Sequence, residues 1–141
     1  MPVPEVVESF AGSVNRVTIG ATKANGGSRS SIVTIGGAKN VVYGGDFSDA
    51  GEKPVVAMDV LDVRPEDWPA ALTEPYKDVL DKPAEWAKKC VEEFGAELIC
   101  LKFDGIHPDK ANKDADHAVR VTQEVLKAVG VPLVLWGSGN N

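Results

Sequence analysis

A chain of 141 residues, 43% apolar and 26% charged, is long enough to bury a core and falls within the range of one soluble globular domain. Its formal charge of −6 and pI near 4.9, with Lys and Arg scattered among the acids, exclude the clustered cations on which nucleic-acid binding rests. No apolar run reaches the ~18 to 20 residues of a membrane span, and the start MPVPEVVESF is acidic where a signal peptide is basic, so a cytoplasmic location without membrane contact is expected.

Residues 1–13 hold two prolines and no clear period, and they read as an N-terminal arm. The β-rich stretches Val14 to Ile19 and Ser31 to Ile35, separated by the turn-forming GATKANGGSRS, predict a hairpin with a long loop. Gly36 to Lys53 is expected to be an ordered connection, because Val41, Val42, Tyr43 and Phe47 need burial; it completes a unit over 14–53.

From Pro54 to the end the pattern becomes β, α, β, α, β. Val55 to Val60 is apolar on both faces except at Asp59, as in a parallel sheet. Two short helical turns are expected at Pro69 to Leu72 and Tyr76 to Leu80. Asp81 is the expected cap of a helix from Pro83 to Phe94 with Trp86, Cys90, Val91 and Phe94 facing inward and Gly95 as a left-handed stop. Leu98 to Phe103 is the second strand. Asp114 is placed to cap a helix running to Val129, with Ala118, Val121, Thr122, Val125 and Val129 as its core stripe and Gly130 with Pro132 ending it. Leu133 to Trp136 is the third strand.

This order calls for parallel strands in an α/β fold, either an open sheet or a (β/α)8 barrel, and the leading hairpin favours a barrel whose bottom it plugs. A barrel takes about 250 residues. Residues 54–141 therefore read as its first βαβαβ part, incomplete.

The chemistry is sparse. Cys90 and Cys100 lack the spacing and number of a zinc or iron–sulfur site and read as buried core thiols, so cluster chemistry would come from a partner. KANGGSRS is a hairpin loop rather than a phosphate loop, and the GSG of GSGNN lacks the third glycine and the helix of a dinucleotide site. His107 and His117 read as solvent-facing or loop residues, not metal ligands. Because ligands of parallel α/β folds bind at the C-terminal ends of the strands, Asp59, Asp62, Lys102, Asp104, Gly105, Ser138 and Asn140 are expected on one rim. For Asp59 and Lys102 an internal ion pair and a ligand contact both remain open.

Four stretches carry a family resemblance: VTIGATKANGGSRSSIVTIGG, PVVAMDVLDV, DWPAALTEPYKDVLDKPAEWAKKCVEEFGAELICLKFDG and VLKAVGVPLVLWGSG. Together they resemble the N-terminal part of the small subunit of the corrinoid iron–sulfur protein, which in methanogens is the delta subunit of the acetyl-CoA decarbonylase/synthase complex. The resemblance implies a TIM barrel that is not catalytic alone. Its implied partners are a large subunit carrying the corrinoid (cobalamin) and a [4Fe–4S] cluster, a pterin methyltransferase and acetyl-CoA synthase. The assembled protein would carry a methyl group from a methyl-pterin to acetyl-CoA synthase, in the reductive acetyl-CoA (Wood–Ljungdahl) pathway or its methanogenic counterpart. On this resemblance Asp62, Lys102, Asp104, Gly105, Ser138 and Asn140 face the corrinoid, and no catalytic or metal-ligating residue is assigned. Two alternatives stay open: a pterin-binding, methyltransferase-like barrel in which Asp59 or Asp104 meets the pterin ring, and a small α/β interaction module.

Overall fold

β-branched residues alternate along both arms of the hairpin, so its two strands pair through one apolar and one polar face. β1 (Arg16–Ile19) and β2 (Val33–Gly36) are antiparallel, with Val17 opposite Ile35 and Ile19 opposite Val33. On the other face the hydroxyls of Thr18 and Thr34 lie 3.2 Å apart. The structure, a computed structural model, describes residues 12–38 and 51–139. The expected N-terminal arm up to residue 11, the apolar residues Val41, Val42, Tyr43 and Phe47 of the connection, and Asn140 lie outside the described residues.

The second sheet is parallel, in the order β3 (Ala57–Leu61), β4 (Leu98–Lys102), β5 (Leu133–Trp136). The expected first strand began at Val55; pairing starts at Ala57, where Leu98 first offers a partner, and Val56 is 77% exposed. Between β3 and β4 run a short helix α1 (Ala70–Thr73), a 3-10 turn (Glu74–Tyr76) and α2 (Pro83–Glu92). Between β4 and β5 run a 3-10 turn (Asp104–Ile106) and α3 (Ala115–Ala128). Among the described residues no helix is long and apolar enough to cross a membrane.

Val60, Ile99 and Leu101 are fully buried and form one cluster with Trp86 and Cys90 of α2 and Val121 and Val125 of α3. Burial of each such aliphatic side chain contributes about 1.5–3 kcal/mol. Trp68, Tyr76 and Phe94 extend the cluster: Trp68 meets Trp86 edge-on at 5.7 Å, and Tyr76 lies 5.5 Å from Trp86 and 5.4 Å from Phe94. Phe94, expected to face inward, is about half exposed because it lies beyond the end of α2 at Glu92, although the Tyr76 ring packs against it.

The helix ends differ from one another. α2 begins with Pro83, whose missing N–H costs nothing in a first turn, and its cap position is Lys82, not Asp81. Asp81 instead pairs with Arg64 at 2.7 Å. Gly95 stops the helix with φ +68°, and the Ala96 N–H turns back to the Cys90 carbonyl at 3.0 Å. α3 has the cap expected from sequence: Asp114 Oδ1 accepts the His117 N–H at 2.8 Å.

The hairpin is docked at the N-terminal end of β5. Arg29 donates to the Val129 carbonyl at 2.7 Å and the Leu126 carbonyl at 2.9 Å, so a guanidinium covers the last carbonyls of α3. The Ser30 N–H bonds the Gly130 carbonyl at 2.8 Å. Gly20 closes the contact. Its φ is +92°, and a Cβ there would stand 2.7 Å from the Pro132 ring.

Candidate functional site

The opposite end of the sheet holds most of the described residues expected at the rim. Two of them, Asp62 and Gly105, form one unit with His117. Asp62 follows β3, and its N–H extends the ladder to the Lys102 carbonyl at 3.0 Å. Its carboxylate is fully buried: Oδ1 accepts the Gly105 N–H at 2.8 Å and Oδ2 meets His117 Nε2 at 3.2 Å. Asp62 thus ties the end of β3 to the turn after β4 and to the first turn of α3. Gly105 has to be glycine, since a Cβ would lie 2.6 Å from both Asp62 Oδ2 and a Val63 methyl. Asp104, next to it, points outward and pairs with Lys110 at 2.6 Å. That bond is the main cause of the raised Lys110 pKa, with Asp67 and Glu66 adding smaller attractions.

A cleft of about 570 Å³ opens beside this unit. Its floor includes Leu61 and Val63, one wall runs from Arg64 to Trp68, and the other is formed by Asp104, Asp109, Lys110 and Ala111. The lining carries four carboxylates and two cations, together with Trp68.

Lys102 belongs to a second group, on the sheet surface. Its ammonium pairs with Asp59 at 3.3 Å and sits 5.6 Å from the centre of the Trp136 ring. Both partners of the pair keep partial exposure, 32% for the Lys102 side chain and 44% for Asp59. Cys100 stands directly opposite Asp59 in the register, two residues before Lys102; burial pushes its thiol pKa up, and the Asp59 charge pushes in the same direction. Trp136 is 60% exposed. Ser138, two residues beyond β5, is half-buried, and Asn140 lies outside the described residues.

His117 and Arg120 were not expected here. The His117 side chain is 12% exposed, not solvent-facing, because Asp62 draws it inward, and its Nδ1 lies 3.1 Å from Arg120 Nη2. One signal in the sequence does point to it. A residue three positions after an N-cap sits in the first turn of the helix, and in a βα unit that turn shares the rim with the strand end. His107, on the loop that follows, accepts the Asp109 N–H at 3.1 Å. Among the described residues no group of three or more His, Cys, Asp or Glu is placed to hold a metal ion.

Residues 16–141 match the family model described as the CO dehydrogenase/acetyl-CoA synthase delta subunit. The chain belongs to this family. It is 41% identical over 133 residues to the acetyl-CoA decarbonylase/synthase complex subunit delta of Archaeoglobus fulgidus, covering 94% of this chain and 29% of that protein. The subunit delta of Methanocaldococcus jannaschii is 36% identical over 98% of this chain and 35% of its own length, and that of Methanosarcina mazei is 38% identical over 95% and 30%. The chain thus spans about a third of the length of these delta subunits. The matched region includes the hairpin, the parallel sheet and the whole rim unit of Asp62, Gly105 and His117.

Proposed function

We propose that this delta-subunit family chain contributes the part of a corrinoid iron–sulfur protein that faces a corrinoid carried by a large partner subunit. The assembly would move a methyl group from a methyl-pterin to acetyl-CoA synthase, in the reductive acetyl-CoA pathway or its methanogenic counterpart. The observation that carries the proposal is the family match through residues 16–141. The large subunit, a pterin methyltransferase and acetyl-CoA synthase are the partners this reading implies, with the [4Fe–4S] cluster on the large subunit. A parallel sheet in the sequential order β3, β4, β5 supports the further reading that these strands open a TIM barrel with the hairpin at its bottom.

The rim has the chemistry a corrinoid asks of its protein: a broad apolar ring edged with amide side chains needs flat apolar contact beside mixed donors and acceptors. Trp136 offers an exposed indole, Lys102 and Lys110 offer donors, and Asp104 offers an acceptor. Gly105, buried against Asp62 and Val63, holds the turn close to the end of β3. When bound, the corrinoid supplies the cobalt that takes up and releases the methyl group. This chain supplies position and dryness. Asp62 fixes the turn that carries Asp104, Lys110 presents N–H groups over the cleft, and Trp136 would cover the sheet surface with an apolar ring beside Lys102.

Mixing the purified chain with the corrinoid-loaded large subunit tests the reading. Co-elution, with a change in the corrinoid absorption bands, is expected. Binding of methyl-tetrahydrofolate by the chain alone, without association with the large subunit, would instead favour a pterin-binding barrel.

A further inference from the structure

Two ring contacts of His117 fix its tautomer, and a third contact, through its backbone, caps α3. Its backbone N–H caps α3 on Asp114, Nε2 meets the buried Asp62 carboxylate, and Nδ1 meets Arg120. A guanidinium has no acceptor and an ionised carboxylate has no donor. The network therefore assigns the tautomer: Nδ1 accepts from Arg120 and the Nε2–H donates to Asp62.

The far side of that carboxylate holds Gly105, and the turn is clamped from both of its backbone groups. The Gly105 N–H goes to Asp62 Oδ1 at 2.8 Å, and the Gly105 carbonyl accepts the Lys113 N–H at 2.9 Å. With no Cβ at Gly105, the carboxylate sits close against the turn. Asp104, the first residue of this turn, carries Lys110 at 2.6 Å.

We propose that His117 is a positioning residue of the rim: acting through Asp62, it sets the shape of the Asp104–Ile106 turn and so places Asp104 and Lys110 toward the ligand. Arg120 holds the imidazole in the tautomer that can donate to Asp62. The consequence for a corrinoid rests on the function proposed above; the effect on the turn does not.

Two variants separate positioning from bulk stability. His117→Gln keeps an amide N–H donor that reaches Asp62, whereas His117→Leu keeps volume and removes the donor. Amide hydrogen exchange of the 141-residue chain is read at Gly105 and, as an internal reference, at Ile99 and Leu101 of the core strand. In His117→Leu the Gly105 amide is expected to exchange at least about tenfold faster relative to the reference amides, the loss of one charge-assisted hydrogen bond, while His117→Gln stays within about threefold of wild type. Nitrogen-15 spectra should show the proton on Nε2 of His117 in wild type and a mixture of tautomers in Arg120→Leu. Equal Gly105 exchange in wild type and His117→Leu overturns the proposal. So does a change in His117→Leu shared equally by the reference amides, or a Gln variant as damaged as the Leu variant.

Capture of the corrinoid-loaded large subunit is then measured for all three chains. Weaker capture by His117→Leu with rescue by His117→Gln extends the positioning role to the ligand, and equal capture by all three confines His117 to a structural role and overturns that extension. If the wild-type chain captures nothing, the corrinoid reading falls while Gly105 exchange still decides the role of His117.

Discussion

The two ends of the parallel sheet are fastened by side chains of opposite charge working on opposite backbone groups. At the N-terminal end of β5, Arg29 from the hairpin reaches the carbonyls of Leu126 and Val129, the negative end of α3. At the rim, the Asp62 carboxylate takes the N–H of Gly105 and the Nε2–H of His117, close to the positive end of the same helix. About 20 Å of helix separates the two fastenings. They differ in depth. Arg29 is half-buried and one long flexible side chain does the work, whereas the Asp62 side chain has no exposure and its two partners come from two different elements. The end that is most deeply buried is thus the one beside the cleft, which suits a site that must hold its shape before a ligand arrives.

This difference sets the order of the expected effects. Asp62→Ala is the largest: it strands the Gly105 N–H and the His117 Nε2–H in a buried position, and a loss of about 3 kcal/mol in urea unfolding is expected. Gly105→Ala forces a Cβ against Asp62 and Val63 and should cost about 1–3 kcal/mol. Arg29→Ala, at the other end, leaves its carbonyls partly open to water and should cost about 1–2 kcal/mol. The double variant Asp62→Ala/Arg29→Ala should be additive within about 0.5 kcal/mol, because the sites are far apart and share no partner. Coupling well above that value would show that α3 transmits strain between the ends and would break the comparison.

A pH measurement reports on a region at neither end. Burial, followed by the nearby Cys90, pushes the Tyr76 pKa from 10.0 up to about 12. A phenol whose folded pKa lies above its unfolded value keeps its full stabilising contribution below about pH 10 and loses it as pH rises towards 12. Unfolding midpoints should therefore fall across that window, and they should fall less in Tyr76→Phe. The smallest effect is expected at the exposed Arg64–Asp81 pair, where Arg64→Ala should change stability by less than about 1 kcal/mol.

Much of the fold was legible because its signals are local. Alternation in VNRVTI and SIVTI, the apolar runs Val55 to Val60, Leu98 to Phe103 and Leu133 to Trp136, the Asp114 cap and the Gly95 stop each depend on neighbours within a few positions. The rim was legible by position only, since strand C-termini pointed to Asp62, Lys102, Asp104 and Gly105. Their partners were not legible. His117 meets Asp62 across 55 positions and Arg29 meets Leu126 across 97, and no periodicity links residues so far apart. Asp81 shows the same limit at shorter range: its residue type suits a cap, but Arg64 occupies its carboxylate, and the cap position falls to Lys82.

The proposal that the strand C-terminal rim faces a corrinoid held by a large subunit can be checked by hydrogen–deuterium exchange of the chain with and without that corrinoid-loaded subunit. Protection is expected to concentrate in residues 62–68, 102–111 and 136–139, with the hairpin loop at 20–31 unchanged. Protection confined to the hairpin end, or no protection anywhere, would contradict it.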